Sequence, residues 1–335
     1  MTSASPLVVV TGASGHVGAN LVRALLADGR RVRALIHTTR GGVEGLPVEV
    51  AHADVLDRDS LKTGFEGTDT VFHLAAKISA GWEPRALIRQ VNIEGAGNVA
   101  DACRLAGVRR LVHFSSIEAF APLPAGGIVT ESSALAKPGD RGWSVYGRAK
   151  AEGERAVRAA IAEGLDAVVL YPTAIIGPLD FQLSPMGEVL RSLARGRLPA
   201  LVAGAGFDFV DVRDVVAAAL TAEQRGQRGD GYLVSGTRLS LVELARLWAR
   251  TTGRPAPRWA APMWSARLAA CFAPSIARLR GHRPLFTPES LRVLRNRFTV
   301  DRRKAEQVLD YRPRPIEETL RDTWAFIRSA DGSRA

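Results

Sequence analysis

The stretch LVVVTGASGHVGANLVRALLADG, residues 7–29, constrains the fold of this chain most strongly. An apolar, β-branched run passes through Thr11 into a loop containing Gly12, Gly15 and Gly18, then into a segment of helical composition. A strand must therefore turn sharply into a helix whose first N–H groups are free and carry a partial positive charge. Without side chains at the glycines, an anionic group can come close to the backbone there. A glycine triplet alone says little, but one that closes the first strand of a βαβ unit points to a bound nucleotide.

The first half of the chain keeps the rhythm that this beginning sets. RVRALIH, DTVFHLAA, RLVHFSS and DAVVLYP read as strands, with helical stretches such as NIEGAGNVADACRLAG between them. Such alternation predicts a parallel sheet covered by helices on both faces. After Pro172 the rhythm breaks, and FDFVDVRDVVAAALTA and GYLVSG read as a return to the sheet. The expected organisation is a nucleotide-binding unit over residues 1–172 with 205–236 returning to it, beside a mainly helical lobe from 173–204 and 237–330.

Charge is uneven along the chain. The formal net charge is +11, and residues 251–335 contribute 17 Arg and Lys against 8 Asp and Glu. The arginines are mixed with acids and apolar residues, which predicts a solvated basic face rather than a nucleic-acid stripe. The segment APMWSARLAACFAPSIARLRGHRP combines aromatic and aliphatic residues with arginines. It suits a helix over an apolar substrate pocket, which is favoured here, or one lying at a membrane surface. It is broken by Arg267, Pro274 and Arg278 and falls short of the ~20 apolar residues of a membrane span. Cys103 and Cys271, in apolar helical stretches, read as buried thiols, with neither disulfide nor metal spacing. The N-terminus lacks the pattern of a signal peptide, so a cytoplasmic protein is expected. The sequence leaves a homodimer open.

The segment WSVYGRAKAEGERAV sets Tyr146 four residues ahead of Lys150. Ser144 can cap a helix there, and the spacing puts phenol and ammonium on one face. Such a pair is common on solvated helices, but a nearby cation favours phenolate and would lower the phenol pKa towards neutrality.

Taken in order, TGASGHVG, HADVLD, HLAA, VNIEGAGNV, VHFSSIEAF, YGRAK and YPTAIIGP resemble the extended branch of the short-chain dehydrogenase/reductase superfamily, the NAD-dependent epimerase/dehydratase family. VHFSSIEAF is similar to the 3β-hydroxysteroid dehydrogenase group, and VRALIHTTR with TGASG to dihydroflavonol 4-reductase-like enzymes. The resemblance implies a Rossmann-type doubly wound sheet with a smaller helical C-terminal substrate lobe, and an enzyme that moves hydride between nicotinamide and a small molecule. It makes Tyr146 the proton donor or acceptor, Lys150 the ligand of the nicotinamide ribose, and Ser116 a hydrogen-bond partner of the substrate oxygen, with Ser115 the neighbouring candidate. It also implies a cofactor site formed by Gly12, Ser14, Gly15, His16, Val17, Gly18, His37, Arg40, Asp54, Val55, Ala75, Ala76, Lys77, Asn92, Tyr171, Pro172 and Thr173. Asn92 also reads as a helix N-cap.

For the substrate, an apolar ketone or secondary alcohol of dihydroflavonol, sterol or terpenoid type is expected. Nucleotide-sugar epimerisation or dehydration is the alternative, and a cofactor-binding sensor without turnover is a third reading. Sugar-nucleotide relatives commonly carry a diphosphate-binding arginine where this chain has Phe207, and phenylalanine cannot pair with phosphate. Ser79, Trp82, Glu118, Phe120, Trp143, Phe181 and Phe207 are the candidate substrate contacts. The second strand ends at His37 without the acid that would repel a 2′-phosphate, so NADP is expected over NAD, with Arg40 as anchor and His37 or Thr38 assisting.

Overall fold

The computed structural model describes residues 5–79, 83–124, 126–140, 143–198, 200–257, 259–279, 287–293 and 298–332. Its centre is a seven-stranded parallel sheet of β1 (Leu7–Thr11), β2 (Arg31–Ile36), β3 (Glu49–His52), β4 (Thr68–His73), β5 (Arg110–Phe114), β6 (Ala167–Pro172) and β7 (Gly231–Val234). The spatial order is β7-β6-β5-β4-β1-β2-β3. Strand order reverses between β1 and β4, the switch point where doubly wound sheets open a crevice for a ligand.

Alternation along the strands covers both faces. Val8 and Val10 point into one cluster with Leu21 and Leu25 of α1 (His16–Ala27). Val9 points the other way, towards Leu61 of α2 (Arg58–Gly64), Val99 of α3 (Gly95–Leu105) and Val157 of α4 (Val145–Ala162). Such apolar, two-sided strands are what a helix-covered parallel sheet requires. Fully buried Val8, Val9 and Val10 follow from that.

The segment after β6 departs from the sequence reading in one respect. Gly206–Asp211 pairs with Ala174–Ile176 in parallel and with Thr237–Ser240 antiparallel, forming a separate small sheet. The next helix, α6 (Val212–Arg225), does return, and Val215 and Ala219 pack on the main sheet. A separate core gathers Leu190 of α5 (Pro185–Ala194), Leu244 and Trp248 of α7 (Leu241–Thr252), and Leu320 of α11 (Ile316–Gly332). Ala270 of α8 (Met263–Leu279) and Leu291 of α9 (Pro288–Val293) join it. Ala305 and Leu309 of α10 (Arg303–Leu309) pack back on the main sheet, although that stretch reads as part of the lobe. The Tyr311 hydroxyl fixes the return by donating to Ser235 O at 2.8 Å. No helix among the described residues is long and apolar enough to cross a membrane.

Candidate active site

The glycine loop stands at the C-terminal end of β1. Gly12 has φ +67°, and a Cβ there would lie 2.8 Å from Ala75 N. At Gly18 a Cβ would lie 2.3 Å from Gly12 O, so the third glycine lets α1 close onto the loop. Gly15 caps α1 and donates its N–H to Gly12 O at 3.0 Å. Thr11 Oγ1 accepts from Ala75 N at 3.2 Å and lies 2.8 Å from His73 Nδ1. The loop is thus narrow on the side of Ala75 and Ala76, with the free amides of α1 at its mouth, an arrangement that fits a pyrophosphate.

The remaining expected cofactor residues spread around this loop. Ser14 adjoins Gly41, and Val17 packs on the sheet cluster. His16 Nε2 lies 3.0 Å from Pro178 O, and Asn20 Nδ2 donates to the same carbonyl. His37 and Asp54 face one another across 3.4 Å at the exposed edge, and Arg40 is exposed beside them. Val55 presses on Gly95 of α3. Asn92 lies in a π-helical turn, Gln90–Glu94, rather than at a helix N-cap, and its Nδ2 donates to Lys77 O and Ile88 O. Its buried Oδ1 has no protein partner and remains an acceptor for a donor from outside. Tyr171 and Thr173 use their side chains within the protein: the Tyr171 hydroxyl donates to Glu154 and the Thr173 hydroxyl to Asp208. Pro172 lies between them, and Thr173 N donates to Val234 O at 3.1 Å.

On the neighbouring strand, β5 ends in two serines that the structure separates. Ser115 turns inward and donates to Glu154 Oε2 at 2.8 Å. Ser116 begins a 3₁₀ turn, Ile117–Ala119, accepts from Glu118 N at 3.1 Å, and its hydroxyl bears on Tyr146. Ser144 caps α4 as its sequence predicts, accepting from Gly147 N at 2.8 Å and donating to Glu118 Oε2 at 2.7 Å. Tyr146 follows in the first turn. Lys150, one turn on, is buried at 4% exposure and donates to Phe114 O.

The electrostatics differ from those expected of an isolated Tyr/Lys pair. Burial first, then the Glu118 charge, pushes the Tyr146 phenol above its ordinary range, while the Ser116 hydrogen bond pulls it down. Lys150 spends its ammonium on the β5 carbonyl, and burial lowers it to about 8 against the opposing pull of Glu154. The expected lowering of Tyr146 by Lys150 therefore gives way to a phenol that keeps its proton, because desolvation of the anion and the Glu118 charge outweigh the Ser116 hydrogen bond. Burial also raises Glu118 to about 7, with the Ser144 hydrogen bond lowering it and the Glu289 charge raising it. His73 and His113 lie in register on β4 and β5, with rings 5.3 Å apart. Burial and the Lys150 charge hold both neutral, His73 at about 3.

Two residues of this site went unremarked in the sequence. Glu154 is fully buried, accepting from Ser115, Tyr171 and Arg158. It continues the i, i+4 spacing of Tyr146 and Lys150, a signal present in the sequence. Glu289 of α9 accepts from Val145 N at 2.6 Å across 144 residues, and no local pattern announces it.

The proposed substrate contacts scatter. Trp143 is 5% exposed and belongs to the core, its indole N–H donating to Glu118 O. Phe120 is 2% exposed, its ring 4.7 Å from that of Tyr171 and tilted at 50° to it. Both are packing residues rather than walls of an open pocket: Trp143 fills the space beside Ala119 and Ala151, between the turn after β5 and α4, and Phe120 packs on Val169 and Tyr171 of β6 and Leu233 of β7. Phe181 lies under the Arg23 guanidinium and edge-on to Phe326, and Phe207 packs edge-on to Phe209 in the lobe core. Ser79 is half-buried in the loop after β4, and Trp82 lies outside the described residues.

A switch-point glycine loop beside a strand-end serine and a helical Tyr/Lys pair defines an oxidoreductase-type enzyme of Rossmann architecture. The chain belongs to the NAD dependent epimerase/dehydratase family, whose profile matches residues 8–235. It is 37% identical to sterol demethylase protein B of Methylococcus capsulatus over 96% of this chain and 98% of that one. It is 29% identical to 3beta-hydroxysteroid-dehydrogenase/decarboxylase isoform 2 of Arabidopsis thaliana, over 94% of this chain and 61% of the plant protein. Among solved structures, gox2253 superposes with a TM-score of 0.82 and 28% identity, covering 97% of this chain and 99% of the other.

Proposed function

We propose that this enzyme interconverts a secondary alcohol and a ketone on an apolar, sterol-like small molecule, using a nicotinamide dinucleotide. The observation that carries the reading is the Ser116–Tyr146–Lys150 group, whose phenol keeps its proton at neutral pH above an apolar floor of Ala119, Trp143 and Ala151. The dinucleotide, when bound, supplies hydride acceptor or donor chemistry. The narrow Gly12 cradle would hold its pyrophosphate, and Lys150, which donates to Phe114 O, would turn to its ribose. Ser116 and Tyr146 share the substrate oxygen: Tyr146 delivers a proton in reduction and takes one up in oxidation. His73 and His113, held neutral under Lys150, keep further positive charge from this enclosed region.

Phe207 supports the apolar reading over a nucleotide sugar, since it is packed in the lobe core and offers nothing to a diphosphate. So does the likeness to sterol demethylase protein B over nearly the whole chain. NADP is the preferred cofactor: β2 is followed by His37 rather than an acid, and Arg40, three residues on, is exposed and able to pair with a 2′-phosphate, while the nearby acid Asp54 faces His37.

The test is a panel of 3β-hydroxysterols, 3-ketosteroids, dihydroflavonols and UDP-sugars with NADP(H) and NAD(H), followed at the nicotinamide absorbance with product identification. Turnover of sterols or other apolar ketones and alcohols is expected. Turnover confined to UDP-sugars would overturn the substrate class, and cofactor binding without any turnover would make the protein a sensor.

A further inference from the structure

Trp259, Trp264 and Leu268 stand within ten residues of one another, exposed at 79%, 71% and 60%. The helix α8 explains why. Met263, Ala266 and Ala270 turn one side of it onto the lobe core. Trp264, Leu268 and Cys271 follow at helical spacing on another side, which faces outward. Trp259, five residues before Trp264, has its backbone pinned, its carbonyl accepting from Leu201 N at 3.0 Å. The sequence favours this segment as a pocket cover and Cys271 as a buried thiol; the structure turns Trp264 and Leu268 outward and leaves Cys271 exposed on the same helix, because Met263, Ala266 and Ala270 take the core side.

The surrounding charge says what would cover them. Between residues 254 and 297 the chain has nine arginines and one acid, Glu289. That acid is engaged inward, at Val145 N. Further along, the cations are matched: Arg302 pairs with Glu306, Arg303 with Asp301, Lys304 with Asp230 and Arg314 with Asp214. Arg267 is exposed between Trp264 and Leu268. Exposed indoles and a leucine in an arginine-rich, acid-poor segment suit the headgroup region of an anionic bilayer, where indoles sit at the interface and guanidinium groups meet lipid phosphate. A second copy of the chain would bring two arginine-rich, acid-poor segments together.

We propose that the α8 face docks this enzyme on a bilayer containing anionic phospholipid, with Trp259, Trp264 and Leu268 as the inserted side chains. The docked face adjoins the site, since α8 packs on α9 and Glu289 of α9 holds Val145, the residue before Tyr146. Docking there would bring a membrane-dissolved substrate to the enzyme, but binding itself is independent of which substrate is turned over.

The experiment is sedimentation of the full-length protein with vesicles of equimolar phosphatidylglycerol and phosphatidylcholine, or of phosphatidylcholine alone, at low and high salt. Binding to the anionic vesicles is expected at low salt, falling about tenfold or more at high salt as the surface charge is screened. The double variant W264S/L268S is expected to lose about tenfold or more of that binding, with its melting temperature and its NADPH affinity unchanged. Three results would overturn the proposal: no binding to anionic vesicles, equal binding to both vesicle types, or undiminished binding by the double variant. Lipid-free self-association that W264S/L268S abolishes, without vesicle binding, would reassign the face to a second copy of the chain.

Discussion

Replacing Glu118 by glutamine is expected to stabilise this protein above neutral pH. The carboxyl group lies under Ser144 and Trp143, with Tyr146 and Glu289 facing it, and burial raises it from 4.5 to about 7. Between those two values the folded protein keeps a proton that the unfolded chain releases, so stability falls as pH rises. Below about 4.5 both states hold the proton and the group contributes nothing. Above about 7 the cost is complete, and a gap of roughly 2.5 units corresponds to about 3 kcal/mol. Glutamine still accepts from Ser144 and cannot ionise. The variant should therefore exceed the parent by less than about 1 kcal/mol near pH 5 and by up to about 3 kcal/mol at pH 8, a few degrees in Tm. Because the Glu118 charge is one cause of the raised Tyr146 phenol, the alkaline limb of the kcat/KM profile should also move to lower pH in E118Q. Calorimetry at pH 5, 6, 7 and 8 is the assay. Parallel Tm curves for the two proteins would refute the reasoning, since they would mean that Glu118 titrates alike folded and unfolded.

Tyr146→Phe removes the phenolic proton and leaves the ring, so kcat should fall by about 10²–10⁴ with little change in NADPH affinity; near-normal turnover would remove Tyr146 from the chemistry. Arg40→Ala should weaken NADPH by about 1.5–3 kcal/mol more than NADH in a direct titration, and equal losses would show that Arg40 does not meet a 2′-phosphate. A Cβ at Gly153 would lie 1.9 Å from Asn92 O, so Gly153→Ala must push α4 off the π-helical turn and cost about 1–3 kcal/mol in denaturant unfolding. An unchanged midpoint would show that the two elements separate freely.

What the sequence determined was local. The glycine triplet after an apolar strand requires a strand–turn–helix with room for an anion, and Gly12 and Gly18 are hemmed in by backbone as that demands. Ser144 caps α4, and the four-residue spacing of Tyr146 and Lys150 lies within that helix. Strand, helix and cap depend on neighbours within a few residues, so the chain states them directly. The choice between Ser115 and Ser116 was not of this kind. It depends on the buried Glu154, which accepts from Ser115 and leaves Ser116 for Tyr146.

Tertiary structure also decided the charges of the site. The i, i+4 spacing implies that Lys150 lowers the phenol, but the fold turns the Lys150 ammonium to Phe114 O, and burial with the Glu118 charge raises the phenol instead. Aromatic residues were equally undecided: Trp143 packs beside Ala119 and Ala151 and Phe120 against β6, whereas Trp264 on α8 faces outward. A side chain's hydrophobicity is written in the sequence, but whether it meets core, ligand or membrane depends on which elements pack beside it. Those contacts join residues far apart in sequence, as Glu289 joins Val145 across 144 positions, so they exist only once the chain has folded.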